Sequence, residues 1–399
     1  MHEKFDNNLH NIEDNYRFLK GNGPRPIGSP NLNSALNYFT EAFSYLGYKP
    51  IIQDYPTVFW DFKSIELLVN DYEIPVIPNP FSLSCEVKAP FIYISSLEHL
   101  KIITKNRVSD KILILGGNIT KDVLIPLNYT FYNIPEHQGL YRLLNKLSPL
   151  AVIFISHDSF NPVPLSQDVD FKIPSATITI ENAIKIVESD NNLISLKLES
   201  EINDTKSSIL RGRFNKTKVP EIALIAHLDT QFFSPGAHDD ASGVLCLIQI
   251  MRLLREEHSS LPIEFVITTG HEHTGDGEKL FLEKINEEGI NLKYFFNIDG
   301  IGHKIIHDQI SFYNIPEEIK AKISNIQEYY GIYEGPQWPQ GIHRILSKTG
   351  TKCFAIASQS LDIHHTPKDT FNLLSLSKIK DCATYIHIIL KIIEKELSY

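Results

Sequence analysis

The stretch from residue 221 to 243, EIALIAHLDTQFFSPGAHDDASG, contains side chains that could bind a metal ion. Its first residues form a short apolar run, typical of a buried strand, that stops at His227, and Asp229 follows two residues later. A polar loop with Gly and Pro ends at Asp239, and residues 243–255 have the apolar pattern of a buried helix. In open α/β sheets, ligands bind at the carboxyl ends of the strands. Imidazole and carboxylate groups at such an end favour zinc or a similar divalent metal.

Three more predicted strands end in polar residues of the same kinds. The segments that follow them are GHEHTGDGE (270–278), DGIGH (299–303) and HHTPKDT (364–370). A single histidine or aspartate at a strand end is most often a solvated loop residue. Because the carboxyl ends of parallel strands meet at one edge of a sheet, we expect these separate segments to converge on the same crevice.

The order of predicted elements indicates the fold class. Strands and helices alternate along residues 204–399, which predicts an α/β fold with a mostly parallel central sheet flanked by helices. Apolar residues at helical spacing predict a packing helix over 29–48. Between 58 and 203, short β-like runs, prolines and helical segments mix without metal-ligand spacing. We therefore expect a discontinuous domain of residues 1–57 and 204–399, interrupted by a smaller α+β domain at 58–203.

Composition limits the classes of function. The chain has 399 residues, 42% of them hydrophobic and 22% charged, as is usual for soluble globular proteins. A net charge of -10 argues against a nucleic-acid partner. The sequence has neither an apolar run long enough to span a membrane nor an N-terminal apolar segment, so we expect a cytoplasmic protein without membrane partners. The four scattered cysteines are expected to be free thiols rather than a disulfide framework.

The spaced motifs resemble the M28 family of di-zinc peptidases, the aminopeptidase group. They are, in order, HLDT (227–230), SPGAHDDASG (234–243), HEHTG (271–275), NIDG (297–300) and HHTPKDT (364–370). RPIGSPNLNSALNYF (25–39) is similar to that family's N-terminal helix region, and the insert, residues 58–203, resembles the protease-associated domain often found there. The resemblance covers nearly the whole chain and implies a zinc-exopeptidase-like fold.

The resemblance also implies a set of metal ligands for two zinc ions per chain. Matched position by position, His227 and Asp299 would bind one ion, while His365 and His273 would bind the other. The two carboxylate oxygens of Asp239 would bridge the ions.

Two acidic residues would have catalytic roles on the same basis. Glu272 would be the general base that activates a water molecule between the metals. Asp229 would accept a hydrogen bond from the second ring nitrogen of His227 and so fix its tautomer.

Two positions differ from the family pattern. The family usually has two consecutive glutamates, the first a base and the second a ligand, and here the second position is His273. Imidazole binds zinc as well as a carboxylate does, so the expected number of ligands is preserved. In WPQGIHRIL (338–346), His343 matches the histidine of a family Ser-Asp-His sequence, but the two residues before it do not. Because that segment shapes the substrate pocket, the resemblance does not extend to substrate specificity.

The function implied by the resemblance is that of a zinc aminopeptidase acting on the N-terminal residues of peptides. Two alternatives share the fold: a zinc acyltransferase similar to the glutaminyl cyclases, and a relative that has lost catalysis. Ligand-type residues at all five metal positions favour the aminopeptidase. The insert is expected to cover the metal crevice and to supply no ligand.

Overall fold

The computed structural model describes residues 10–189, 193–214, 218–259, 261–358 and 363–397. Most of the N-terminal segment on which the predicted cytoplasmic location rests lies outside these residues. The chain divides into two compact units, here called unit 1 (Met1–Thr57 and Lys206–Tyr399) and unit 2 (Val58–Thr205). That unit 2 is a protease-associated-like domain stays a prediction.

The helices and strands of the described residues are numbered in chain order. The helices are α1 (Ile12–Asn22), α2 (Pro30–Tyr45), α3 (Leu97–Ile102), α4 (Lys105–Val108), α5 (Pro135–Leu147), α6 (Ile180–Val187), α7 (Ser242–Glu256), α8 (Asp276–Glu287), α9 (Glu317–Tyr330), α10 (Ile342–Lys348) and α11 (Leu376–Leu397). The strands are β1 (Lys49–Val69), β2 (Tyr72–Glu73), β3 (Ile77–Pro78), β4 (Cys85–Ile94), β5 (Ile112–Leu115), β6 (Ala151–Ser156), β7 (Ser175–Thr179), β8 (Leu193–Arg213), β9 (Ile222–His227), β10 (Ile263–Thr268), β11 (Tyr294–Ile298), β12 (Asp308–Tyr313), β13 (Ile332–Glu334) and β14 (Lys352–Ser358).

The sheet of unit 1 has the strand order β13-β12-β14-β11-β9-β10-β8. Its central strands β14, β11, β9 and β10 are mutually parallel, whereas β12 and β8 pair antiparallel to their inner neighbours. Every residue of β9, β10 and β11 is buried, as expected for strands covered on both faces. The predicted α/β fold with a mostly parallel central sheet is confirmed.

The helices of unit 1 cover this sheet with apolar faces. Ser29 caps α2 by accepting a hydrogen bond from the backbone N–H of Leu32, and Pro30 occupies the first turn, where a missing N–H costs nothing. Helix α7 is buried along ten of its residues, and α11 buries a stripe that recurs at helical spacing. Within the described residues, none of the helices is long and apolar enough to cross a bilayer.

Unit 2 combines helices with a mixed sheet of order β8-β4-β5-β6-β7-β3. Strands β4, β5, β6 and β7 are parallel in sequence order, while β8 and β3 pair antiparallel at the two sides. Buried apolar residues lie on both faces of β5 and β6 and form two clusters. The long strands β1 and β8 each contribute one part to each unit.

Candidate metal centre

Four parallel strands of unit 1 bring the predicted residues to one sheet edge. His227 is the last residue of β9 and is in register with Thr268 at the end of β10. Asp299 directly follows β11, whose last residue is paired with Ile356 of β14. The segments after β10 and β14 carry Glu272 and the histidine pair at 364–365. The convergence expected from the strand ends is present in the structure.

The carboxylate of Asp239 lies between two histidines. Its Oδ1 is 3.0 Å from Nε2 of His227, and its Oδ2 is 3.1 Å from Nε2 of His365. Ligand atoms that lie about 2.0–2.2 Å from one zinc ion are roughly 3–3.5 Å from each other. The distance from each Asp239 oxygen to its neighbouring imidazole nitrogen therefore equals the distance expected between two ligands of the same zinc ion. The two oxygens could in this way contact two different ions.

Asp299 lies beside His227 and near His271. Its Oδ1 is 3.6 Å from Nε2 of His227, and its Oδ2 is 3.9 Å from Nε2 of His271. One ligand atom each of His227, His271 and Asp299 lie within 4.8 Å of one another. The sequence prediction assigned no role to His271, although its position next to Glu272 in a strand-end loop was a signal.

Glu272 lies near His365 and Asp239. Its Oε2 is 3.2 Å from Nε2 of His365, and it forms a second group within 4.8 Å with His227 and Asp239. The amide of Gln231 donates hydrogen bonds to the carboxylate and to the carbonyl oxygen of Glu272, at 3.0 and 3.1 Å. Burial and the neighbouring Asp239 carboxylate raise the pKa of Glu272 to about 7. Gln231 is a contact that the sequence analysis missed.

Asp229 is fully buried and holds the loop that carries Glu272. Its carboxylate accepts hydrogen bonds from the backbone N–H groups of His271 and Glu272, at 3.2 and 3.1 Å. The Nδ1 atom of His227 is 3.1 Å from the main-chain oxygen of Asp229 and 3.7 Å from its carboxylate. The nearest acceptor for this ring nitrogen is thus the carbonyl, because the carboxylate is turned towards the two amides.

Two further buried carboxylates, those of Asp369 and Asp240, accept hydrogen bonds from backbone N–H groups around the centre. That of Asp369 accepts hydrogen bonds from the backbone N–H groups of His238 and Asp239, at 2.8 and 3.1 Å. That of Asp240 accepts from the N–H groups of His227 at 3.2 Å, Gly243 at 2.8 Å and Gly300 at 3.0 Å. Three chain segments that meet at the centre are thereby tied together.

Arg25 supports the loop between His227 and Asp239 through its guanidinium group. It is fully buried. Its guanidinium donates hydrogen bonds to four carbonyl oxygens: Leu228 at 2.8 Å, Gly236 at 3.0 Å, Gly23 at 3.2 Å and Pro235 at 3.3 Å. Burial lowers the pKa of Arg25 only to about 10, so the group is charged at neutral pH.

His273 lies in neither group of candidate ligands. Its ring is only 1% exposed and packs edge-on against Phe232, with 5.1 Å between the ring centroids. Burial lowers its pKa to about 4. The ligand role that the family pattern gives to His273 stays a prediction. His343 is buried in α10, with its ring 4.9 Å from that of Tyr313.

Residues 211–389 match the model of peptidase family M28. The matched segment contains every candidate ligand described above, and the resemblance inferred from the motifs is confirmed. Among curated proteins, aminopeptidase YwaD of Bacillus subtilis (strain 168) is 30% identical over 111 residues, which are 27% of this chain and 24% of that protein. The match thus spans about a quarter of that relative's length.

Solved structures show the same fold as this chain. A zinc aminopeptidase from Bacillus subtilis superposes with a TM-score of 0.74 at 17% identity, over 95% of this chain and 94% of that one. An aminopeptidase from Aneurinibacillus sp. strain AM-1 has a TM-score of 0.69 at 17% identity, over 95% and 93%. A peptidase M28 precursor from Shewanella amazonensis SB2B has a TM-score of 0.71 at 18% identity, over 94% and 92%. At these identities the likeness is evidence of fold.

Proposed function

We propose that this protein is a zinc-dependent aminopeptidase that hydrolyses the N-terminal residue from peptides. The observation that carries the proposal is the Asp239 carboxylate, which faces His227 with one oxygen and His365 with the other, beside the Glu272 carboxylate. The names of the relatives agree with it, since aminopeptidases occur among both the sequence and the structural matches.

The donor set fits two zinc ions. His227 and Asp299 would hold one ion, His365 the other, and Asp239 would contact both, with imidazole and carboxylate as the ligand types that zinc accepts. When bound, paired divalent ions acidify a water molecule and polarise the scissile carbonyl. The remaining chemistry falls to the protein's own side chains.

Glu272 is placed to handle the proton. Its carboxylate takes a proton from the attacking water and returns it to the leaving amine, a role that contributes roughly 10²–10⁴-fold to rate. Asp229 holds the backbone of Glu272 through its N–H, and Gln231 holds the carboxylate itself. The base is therefore oriented by contacts outside the metal ligands.

A substrate panel tests the proposal. The purified protein, supplied with zinc, is assayed against aminoacyl amides with different side chains, each paired with its N-acetylated form. We expect hydrolysis of substrates with a free amino group only, loss of hydrolysis with a chelator, and recovery on adding zinc. Absence of cleavage across the panel in zinc-loaded protein contradicts the proposal. So does release of ammonia from N-terminal glutaminyl peptides without hydrolysis, since that is the reaction of the alternative acyltransferase.

A further inference from the structure

The two histidines that flank Glu272 have different environments. The ring of His271 stacks on that of His227, with centroids 4.3 Å apart and ring planes at 16°. Its Nε2 is directed to the same Asp299 carboxylate that His227 approaches. His273 instead has its ring against Phe232. Of this pair, only His271 belongs to a group whose ligand atoms lie within 4.8 Å of one another among the described residues.

The loop conformation accounts for this difference. The carbonyl oxygen of Gly270 accepts hydrogen bonds from the backbone N–H groups of Thr274 at 3.1 Å and Gly275 at 2.7 Å, so the chain turns tightly after β10. Asp229 then holds the N–H of His271 at the edge of the crevice. The turn directs His271 to the metal edge and leaves His273 on the packed side of the loop.

A buried carboxylate orients the His271 ring. Nδ1 of His271 is 2.6 Å from Oε1 of Glu278, a residue that is 2% exposed and lies in the first turn of α8. Histidines that bind metals usually donate their second ring N–H to a carboxylate or a carbonyl. His227 has the same arrangement, with Nδ1 on the carbonyl of Asp229 and Nε2 towards Asp299.

We propose that His271, oriented by Glu278, is a further protein ligand of the metal ion held by His227, Asp299 and the bridging Asp239, and that His273 is a packing residue. With His271 this ion would have four protein ligands, the usual coordination number of zinc in proteins. The inference rests on the metal centre of the proposed function. It differs from the family pattern, which places the variable ligand one residue after the base rather than one before it.

Zinc titration of matched variants tests the inference. His271→Ala and His273→Ala are compared with wild type by competition against a chromophoric chelator and by elemental analysis at limiting free zinc. We expect His271→Ala to lose one of two ions and His273→Ala to keep both. Cobalt substitution gives a second readout: the visible spectrum should change in His271→Ala and stay unchanged in His273→Ala. Loss of an ion from His273→Ala with retention of both in His271→Ala overturns the inference.

Glu278→Gln keeps the test valid if His271→Ala folds poorly. Glutamine preserves the shape of the side chain and removes the charge that orients the imidazole. We expect zinc affinity at one site to fall by about 10–100-fold, with full occupancy recovered at high zinc. Unchanged affinity contradicts the inference. Wild-type protein that binds no zinc overturns the proposed function as well, whereas wild type with two ions and an unaffected His271→Ala overturns this inference alone.

Discussion

At the scale of single residues, Glu272 is held from three sides. Its carboxylate is 3.2 Å from the ring of His365 and accepts a hydrogen bond from Gln231, while its backbone N–H donates to Asp229. Its side chain is 4% exposed, so the carboxylate has little freedom to move away from the centre. A group fixed in this way suits proton transfer, which requires a short distance to the attacking water.

Replacement of this base separates catalysis from metal binding. We expect Glu272→Gln to lower kcat by about 10²–10⁴-fold with little change in zinc content, because glutamine keeps the shape but takes no proton. Glu283→Gln, at an exposed position of α8, is the matched control and should keep full activity. Activity assays and elemental analysis on the same preparations decide the matter. Loss of zinc from Glu272→Gln would show that Glu272 is a ligand instead.

At the scale of elements, the loop between β9 and α7 depends on a residue from the N-terminal segment. Arg25 donates hydrogen bonds to the carbonyl oxygens of Leu228, Pro235 and Gly236. Buried carbonyl groups need hydrogen-bond partners, and Arg25 supplies these to the loop. A planar guanidinium can reach several acceptors at once, whereas a lysine ammonium is a point charge.

Arg25→Lys should therefore loosen this loop. We expect a loss of free energy of unfolding of about 1.5–3 kcal/mol for each charge-assisted hydrogen bond that lysine fails to replace. The same exchange at Arg17, which is exposed and pairs with Asp14, should change stability by less than about 1 kcal/mol. Urea unfolding of both variants measures the difference. Equal midpoints for the two variants would contradict a supporting role for Arg25.

The start of α7 is equally constrained. A Cβ atom at Gly243 would lie 2.4 Å from Oδ1 of Asp240 and 2.6 Å from the carbonyl oxygen of Ile298. We expect Gly243→Ala to displace Asp240 and to lower both thermal stability and zinc affinity. Gly21→Ala in α1, where nothing lies within 4 Å of the added carbon, should be neutral or slightly stabilising. Melting curves with and without zinc compare the two. An unchanged zinc dependence in Gly243→Ala would show that the Asp240 contacts do not position the centre.

Elements with short apolar runs were predicted well, and long or polar ones were not. The apolar run before His227 and the helices predicted at 243–255 and 29–48 match β9, α7 and α2 within a few residues. The sequence analysis did not indicate β12, the three-residue β13 or the short α10, nor the 21-residue length of β1 and β8. The pattern of apolar residues in a short window does not reveal a strand that is half exposed and unusually long.

The candidate site shows the same limit. Spacing was enough to indicate that His227, Asp239 and His365 converge, because strand ends share an edge. The contact of Gln231 with Glu272 and that of Asp369 with Asp239 join residues 41 and 130 positions apart, which no local pattern encodes. Whether His271 or His273 faces the crevice depends on the turn made by the loop after β10.

At the scale of the whole molecule, both groups of candidate ligands lie in unit 1. Among the described residues, they come from the end of β9 and from the segments after β9, β10 and β11, and none comes from Val58–Thr205. The sequence predicted that the insert supplies no ligand. Its role as a cover over the crevice stays a prediction.

Removal of zinc should therefore act on unit 1 alone. Binding to the folded state stabilises it by about 2.7 kcal/mol when free zinc is 100 times Kd. We expect a chelator to increase hydrogen exchange at 227–243, 270–275 and 363–370, and to leave β5 and β6 unchanged. Mass spectrometry of peptides from the zinc-loaded and chelated forms measures both regions. An equal increase in β5 and β6 would show that zinc is coupled to unit 2.

The order of the ligands along the chain has a consequence for protein synthesis. The imidazole that faces Oδ2 of Asp239 belongs to His365. This residue is near the end of unit 1 in the sequence, so the ribosome adds it after most of that unit has been translated. A nascent chain that ends before His365 contains His227, Asp239 and Asp299. It lacks the imidazole that would hold the second metal ion. On the proposed function, such a chain leaves the peptides around it intact. On that basis we expect aminopeptidase activity to begin only when β14 and the loop that carries His365 have been made and folded.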